Sequence, residues 1–280
     1  MHLIMRVFML LMLSSLVSPL SASHPLPVPP RAEPNQPPLL GGVPAPVLQG
    51  SLAMRTYSID FYRLPDGMDA ASIQKLAMPV EQALISDTAR FGAWPAGRVS
   101  VRFEPAQTGP CAVRGLTFSQ DRTIRLFYAP GSDQRRIIAI MAHELVHQLE
   151  QDYYGSAAHL KSDNILLEGM AVWGSSHHFL AADGTPQYQR NVQQALREGA
   201  LLPLATDLEA DCRTTTRNYI YDEWGSFVEF LLQRDGRERF DALYRSGTGR
   251  AAGSADYQGV YGKTLDELQT EWMTWLGEQQ

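Results

Sequence analysis

Cysteine is scarce in this chain: Cys111 and Cys212 are the only two in 280 residues. They allow one intrachain disulfide, which would close a loop worth ~4 to 5 kcal/mol in the chain-entropy model. Concentrated basic charge is also missing. The formal net charge is −6, and Arg135 with Arg136 and the stretch Arg234 to Arg239 are short or interrupted by acids. A phosphate-binding face needs a denser cluster, so nucleic acid is excluded as an expected partner. Internal repeats are absent. The apolar run from Val7 to Val17 spans eleven residues, short of the ~20 that a membrane-spanning helix requires.

That run follows Arg6 and precedes Ser-Pro-Leu-Ser-Ala-Ser, a pattern that suits cleavage after Ala22. Residues 1–22 therefore read as an export signal, with no membrane span once it is removed. Its loss takes away Arg6 and moves the charge from −6 to −7. Export to an oxidising compartment also favours the Cys111–Cys212 disulfide.

Half of the 18 prolines fall between His24 and Gly50. Proline lacks the backbone donor and fixes φ, so residues 23–50 read as an extended leader. The folded part is expected over 51–280, where the chain is apolar enough for a substantial core. "MRTYSIDFYRL" reads as one strand. Asp69 to Phe91 has helical spacing interrupted by Pro79, and "RVSVRFEP", "RGLTFSQ" and "RTIRLFYAP" alternate like strands, with a tight turn at Gln120 and Asp121. Beyond them the pattern is helical, over about 137–154, 164–180, 188–198, 221–234, 237–246 and 264–277, with a Gly-rich connection at 246–262. Thr264 and Glu267 form a capping-box signature. Strands first and helices afterwards predict an α+β domain with a small mixed or antiparallel sheet packed on the helix that begins near Ile137.

That helix carries the chemistry. "IIAIMAHELVHQLEQDYYG" sets His143 and His147 four residues apart, on one helical face. Two imidazoles so placed can hold one ion at ~2.0 to 2.1 Å. Glu144, 100° round the helix, stands where a general base can hold water beside such an ion. A catalytic zinc takes three protein ligands and leaves one position open. Glu150 would have to be a third ligand on the same uninterrupted helix, where the donors spread along the axis. His159, His177 and His178 lack supporting spacing and read as surface or satisfied histidines. Glu168, in "NILLEGMAVWGSS", is the better candidate, because Gly169 and Ala171 would let its helix approach the first closely.

"MAHELVHQLE" followed by "LLEGMAVW" resembles the gluzincin metallopeptidases, the class that includes thermolysin and the zinc aminopeptidases. The run from about 124 to 277, with "YDEWGSFVEFLLQRDG", "RERFDALYRSG" and "KTLDELQTEWMTWL", resembles the peptidase MA-like domain of exported bacterial proteins. The resemblance implies a zincin-like fold, one catalytic Zn2+ on His143, His147 and Glu168, Glu144 as base and proton shuttle, and a peptide or protein substrate. It also implies a tyrosine facing the metal, at Tyr221, with Tyr219 as competitor. Two departures stand out. Val172 occupies the place where thermolysin-like enzymes carry an aspartate supporting a ligand histidine, and the Gly-x-Met-Glu-Asn element of zinc aminopeptidases is absent. The alternative expectation is an inactive module of the cell envelope that keeps this fold without catalysis. The strand "TIRLFYA" is the expected edge onto which a peptide could add.

Overall fold

The computed structural model describes residues 50–208 and 211–279. The expected signal, 1–22, and the leader up to residue 49 lie outside the described residues. Five strands come first: β1 (Ser51–Arg55), β2 (Ile59–Arg63), β3 (Val99–Pro105), β4 (Gly115–Phe118) and β5 (Thr123–Tyr128), with helix α1 (Ala70–Phe91) between β2 and β3. There follow α2 (Gln134–Tyr154), α3 (Ser156–Lys161), α4 (Asn164–Ser175), α5 (Gln187–Glu198), α6 (Thr214–Arg245), α7 (Tyr257–Tyr261) and α8 (Leu265–Glu278). The architecture is the expected α+β. Among the described residues, no helix is long and apolar enough to cross a membrane.

The sheet order is β1-β2-β3-β5-β4, with β2, β3 and β5 parallel and both outer pairs antiparallel. Alternation gives it one apolar face, built from Ile59, Phe61, Val99, Val101, Phe103, Ile124 and Leu126, all fully buried. Residues of opposite register carry charge: Asp60 pairs with Arg55 and Arg98, and Glu104 with Arg102 and Arg125.

Several expectations need correction. "MRTYSIDFYRL" is a hairpin rather than one strand. Its turn is held by the buried Glu81 of α1, which accepts from Thr56 Oγ1 at 2.6 Å and from the Ser58 amide at 3.1 Å. Pro79 does not interrupt α1, since it lies on an exposed face where the carbonyl it leaves unpaired can reach water. "TIRLFYA" is not an edge strand, because β4 pairs along the outside of β5. The Gly-rich 246–262 connection contains α7 and is anchored by buried Asp163. That carboxylate caps α4 through the Ile165 amide and also accepts from the Gly253 and Ala255 amides and from the Tyr257 hydroxyl. The break between 234 and 237 is real: Gly236, at φ 79°, kinks α6 where a left-handed backbone favours glycine.

In the core, α2 packs between α1 and α4, and α4 lies against α6. Gly169 faces α6, where a Cβ would meet the Trp224 carbonyl oxygen at 2.5 Å; Gly225 of α6 faces Val172 of α4 in return. The residue that lets α4 approach α2 is Gly174, whose Cβ would meet Val146 at 3.1 Å. The expectation that Gly169 opens the α2 side is therefore corrected, since the turn of α4 directs that position away from α2. We expect Gly169→Ala to cost roughly 2 to 3 kcal/mol by overpacking against rigid backbone. Gly277→Ala, at an exposed position of α8 with open space around it, should gain about 0.5 to 1 kcal/mol from helix propensity. Urea denaturation of the two variants checks the contrast.

Candidate metal and catalytic site

The middle of α2 and the first turns of α4 bring together the three candidate ligands. His143 Nε2 lies 3.2 Å from Glu168 Oε2, and His147 Nε2 lies 3.5 Å from the same oxygen. One donor atom from each residue falls within 4.8 Å of the others. The two imidazoles stand at 90° with centroids 4.9 Å apart, so their edges converge rather than stack. Four-coordinate binding at ~2.0 to 2.1 Å sets donor atoms about 3.3 Å apart at the tetrahedral angle. Two nitrogens and a carboxylate oxygen at these separations fit a divalent transition metal.

Electrostatics point the same way. Burial works against charge on Glu168, yet the imidazoles of His147 and His143 hold its carboxyl well below the usual range. Burial likewise opposes charge on His147, but Glu168 and Glu150 raise it well above its ordinary value. The pocket attracts positive charge, and a cation and a proton compete for it.

Glu150 is neither a ligand nor a bystander. Fully buried, it takes a 2.8 Å hydrogen bond at His147 Nδ1 through Oε2. That bond fixes the tautomer and leaves Nε2 directed at Glu168. The vacant support position at Val172 thus has a counterpart on α2 itself, three residues beyond His147.

Glu144 is buried beside the cluster, and its position is set from the sheet. Thr117 on β4 donates from Oγ1 to Glu144 Oε2 at 2.6 Å, within reach of the Glu144 carbonyl at 3.0 Å as well. Gly115, two residues earlier on the same strand, has no room for a side chain because the Glu144 carboxylate fills the space of its Cβ. Nothing in the sequence signals these two residues, which lie 27 and 29 positions from Glu144. The i, i+3 spacing of His147 and Glu150 is a signal in the sequence, where Glu150 was weighed only as a third ligand.

Tyr221 stacks on His143 with centroids 6.2 Å apart and planes 11° from parallel. Burial first, and then the charge of Glu168, push its phenol well above the ordinary range, so it remains a donor. Tyr219 is 62% exposed, which removes it from competition. His159 is satisfied, as expected, between Ser119 Oγ and the Tyr244 hydroxyl, each at 3.1 Å. His177 and His178 depart from expectation: they face Asp87 of α1, not this cluster, and their Nε2 atoms have no hydrogen-bond partner.

The cluster opens into a cavity of about 590 Å3 lined by both histidines, Glu144, Glu168 and Tyr221, and by residues 112–117. Its rim is tied by the Cys111–Cys212 disulfide, which joins the segment before β4 to the segment before α6. Arg217 reinforces the tie by donating to the Cys212 carbonyl at 3.0 Å and the Ala112 carbonyl at 3.4 Å. A disulfide is consistent with an oxidising, exported environment. No protein-family model and no curated protein matches this sequence.

His159 supplies a test of the cavity wall that is independent of function. Burial and then the charge of Arg250 push its imidazole from 6.5 down to about 3. A lowered base takes up its proton only on unfolding. Its contribution to stability is therefore complete above pH 6.5 and is lost as the pH falls from there towards 3. Between pH 7.5 and 5 this group alone should remove about 2 kcal/mol. A His159→Gln variant should show a flatter stability profile over that interval in denaturant titrations.

Proposed function

We propose that this chain is an exported zinc-dependent peptidase with a gluzincin-like active site. One observation carries the reading: a two-histidine, one-carboxylate cluster at tetrahedral donor spacing, with a buried glutamate beside it, open to a cavity of about 590 Å3. His143, His147 and Glu168 would hold the ion. Zn2+ bound there supplies Lewis acidity, which polarises a carbonyl and acidifies water.

The remaining steps belong to the protein. Glu144, held at one oxygen by Thr117, accepts the proton of the attacking water and delivers it to the leaving amine. Tyr221, kept protonated by burial and by Glu168, donates a hydrogen bond to the oxyanion of the tetrahedral intermediate. Glu150 holds the His147 ring and so keeps its free nitrogen in the ligand position. The substrate is an extended peptide added antiparallel or parallel to β4, the terminal strand of the sheet, whose residues 115–117 line the cavity. An inactive module would have no use for a carboxylate held in the base position, and a purely structural zinc closes its shell with four ligands.

Glu144→Ala should lower hydrolysis of a broad peptide library by roughly 10^2 to 10^4-fold, the usual contribution of a general base. Bound metal, measured on the same samples by mass spectrometry, should not change. Hydrolysis that survives the substitution would overturn the mechanism, and metal binding without any hydrolysis in the parent chain would favour the inactive module. Glu150→Gln should weaken zinc binding by roughly 10 to 100-fold in competition with a chelator, the size typical of losing a ligand-orienting carboxylate.

A further inference from the structure

A second cluster of chemistry-bearing side chains lies outside the cavity and shares no residue with the first. Asp87, on the last turns of α1, has no exposed surface, and both of its carboxylate oxygens lack a hydrogen-bond partner. A buried carboxylate without donors is among the most costly groups in a folded protein, and it is found paired, protonated or coordinated. Among the described residues no Lys or Arg reaches it within ion-pair distance. Only two side chains do: His177 Nε2 lies 3.5 Å and His178 Nε2 3.3 Å from Asp87 Oδ1.

These contacts are not hydrogen bonds. Both Nε2 atoms are buried and without a partner, although each stands close to an orphaned acceptor. The three candidate donor atoms nevertheless lie within 4.8 Å of one another. Separations of 3.3 and 3.5 Å match the ~3.3 Å between donors that share one ion at tetrahedral angles. They also match the separations in the His143 cluster, at 3.2 and 3.5 Å.

Adjacent residues of a helical turn normally diverge, yet here a 3-10 turn after α4, Ser176–His178, sets the two rings 4.0 Å apart. The histidine side chains keep 33% and 17% of their surface, whereas Asp87 has none. The cluster therefore has a buried carboxyl floor, on which burial opposes charge, beneath two partly exposed imidazoles.

We propose that Asp87 Oδ1, His177 Nε2 and His178 Nε2 form a second metal site, for Zn2+ or another divalent ion of the first transition row. Two imidazoles and one carboxylate suit that class and not Ca2+ or Mg2+, which prefer oxygen. The ion would pin the end of α1 to the turn that closes α4. Both of those helices flank α2, so it would brace the helix carrying His143 and His147 from outside.

The test is zinc stoichiometry on the full chain, by equilibrium dialysis against zinc chloride followed by elemental analysis. The parent should hold two equivalents, and His177→Ala/His178→Ala should hold one with an unchanged circular dichroism spectrum. His143→Ala/His147→Ala should also hold one, and this variant reports the second site without altering it. Cobalt(II) titration of that variant should give the visible absorption of one nitrogen- and oxygen-ligated ion, which Asp87→Asn added to it removes. Unchanged zinc content in the 177/178 variant, or no uptake of either metal by the 143/147 variant, would overturn the proposal. Each outcome is read separately from hydrolysis, so failure of the peptidase reading leaves this one standing, and the reverse also holds.

Discussion

The Glu168 carboxylate on α4 meets two imidazoles on α2, and the closeness of that meeting governs how the helical half is packed. Side chains as short as glutamate reach across two helices only where the backbones approach, and Gly174 against Val146 permits the approach. A helix drawn towards α2 must still be covered on its other side. Gly169 and Gly225 do this by letting α4 and α6 sit against each other's backbone and side chains, which brings Tyr221 on α6 over His143. Asp163 then fixes where α4 starts, by gathering two loop amides and a phenol around the cap. The position of Glu168 thus rests on three glycine contacts and one buried acid.

Much of this was legible in the chain. The i, i+4 histidines define a face wherever a helix forms, and Asp133 and Gly155 close α2 at the two ends of the apolar pattern. Glu168 followed from helix pairing, and the two helices expected over about 221–234 and 237–246 meet at the Gly236 kink. What was not legible depends on contacts distant in sequence. Thr117 and Gly115 meet Glu144 only because β4 lies at the end of the sheet, and strand order is set by which edges the helices cover, not by alternation within a strand. The same holds for Asp87, whose place on an unremarkable amphipathic helix shows nothing of the two histidines ninety positions on. Gly169 was read on the right helix and on the wrong face, because an apolar stripe wide enough to touch two neighbours does not say which one a given glycine serves.

The buried charges are unevenly arranged, and the arrangement has a logic. Where an acid lies against an imidazole at hydrogen-bond geometry, as Glu150 Oε2 does at His147 Nδ1, the geometry of the pair is fixed, although Glu150 Oε1 has no partner. Where an acid lies at ligand separation instead, Asp87 leaves both oxygens without a partner in a low-dielectric setting, and Glu168 Oε2 stands 3.2 Å from His143 Nε2 and 3.5 Å from His147 Nε2. Binding a cation relieves that cost, and the free energy released appears as stability of the fold. Both clusters join elements that are far apart in sequence, α2 with α4 and α1 with the turn after α4. An ion in either one therefore stabilises tertiary contacts that the hydrophobic core alone leaves to van der Waals packing.

On the proposed reading the base is aligned from the sheet, and this links chemistry to substrate. Glu144 belongs to α2 by sequence, but its carboxylate is oriented by Thr117 and confined by Gly115, both on β4. On the proposed reading, a peptide added to the free edge of β4 takes its register from the same strand. Hydrogen bonds to successive β4 residues would then set the distance between a scissile carbonyl and the base through one rigid element, with no intervening loop. A small shift of α2 against the sheet would not separate base from substrate, because the Thr117 bond carries the carboxylate with the strand. The disulfide at Cys111, just ahead of β4, and Arg217 holding the Ala112 carbonyl keep that strand from swinging away from α6, where Tyr221 waits on the opposite wall. Preorganisation here resides in the strand and its tether, and the histidine helix contributes donors to a frame that the sheet has already fixed.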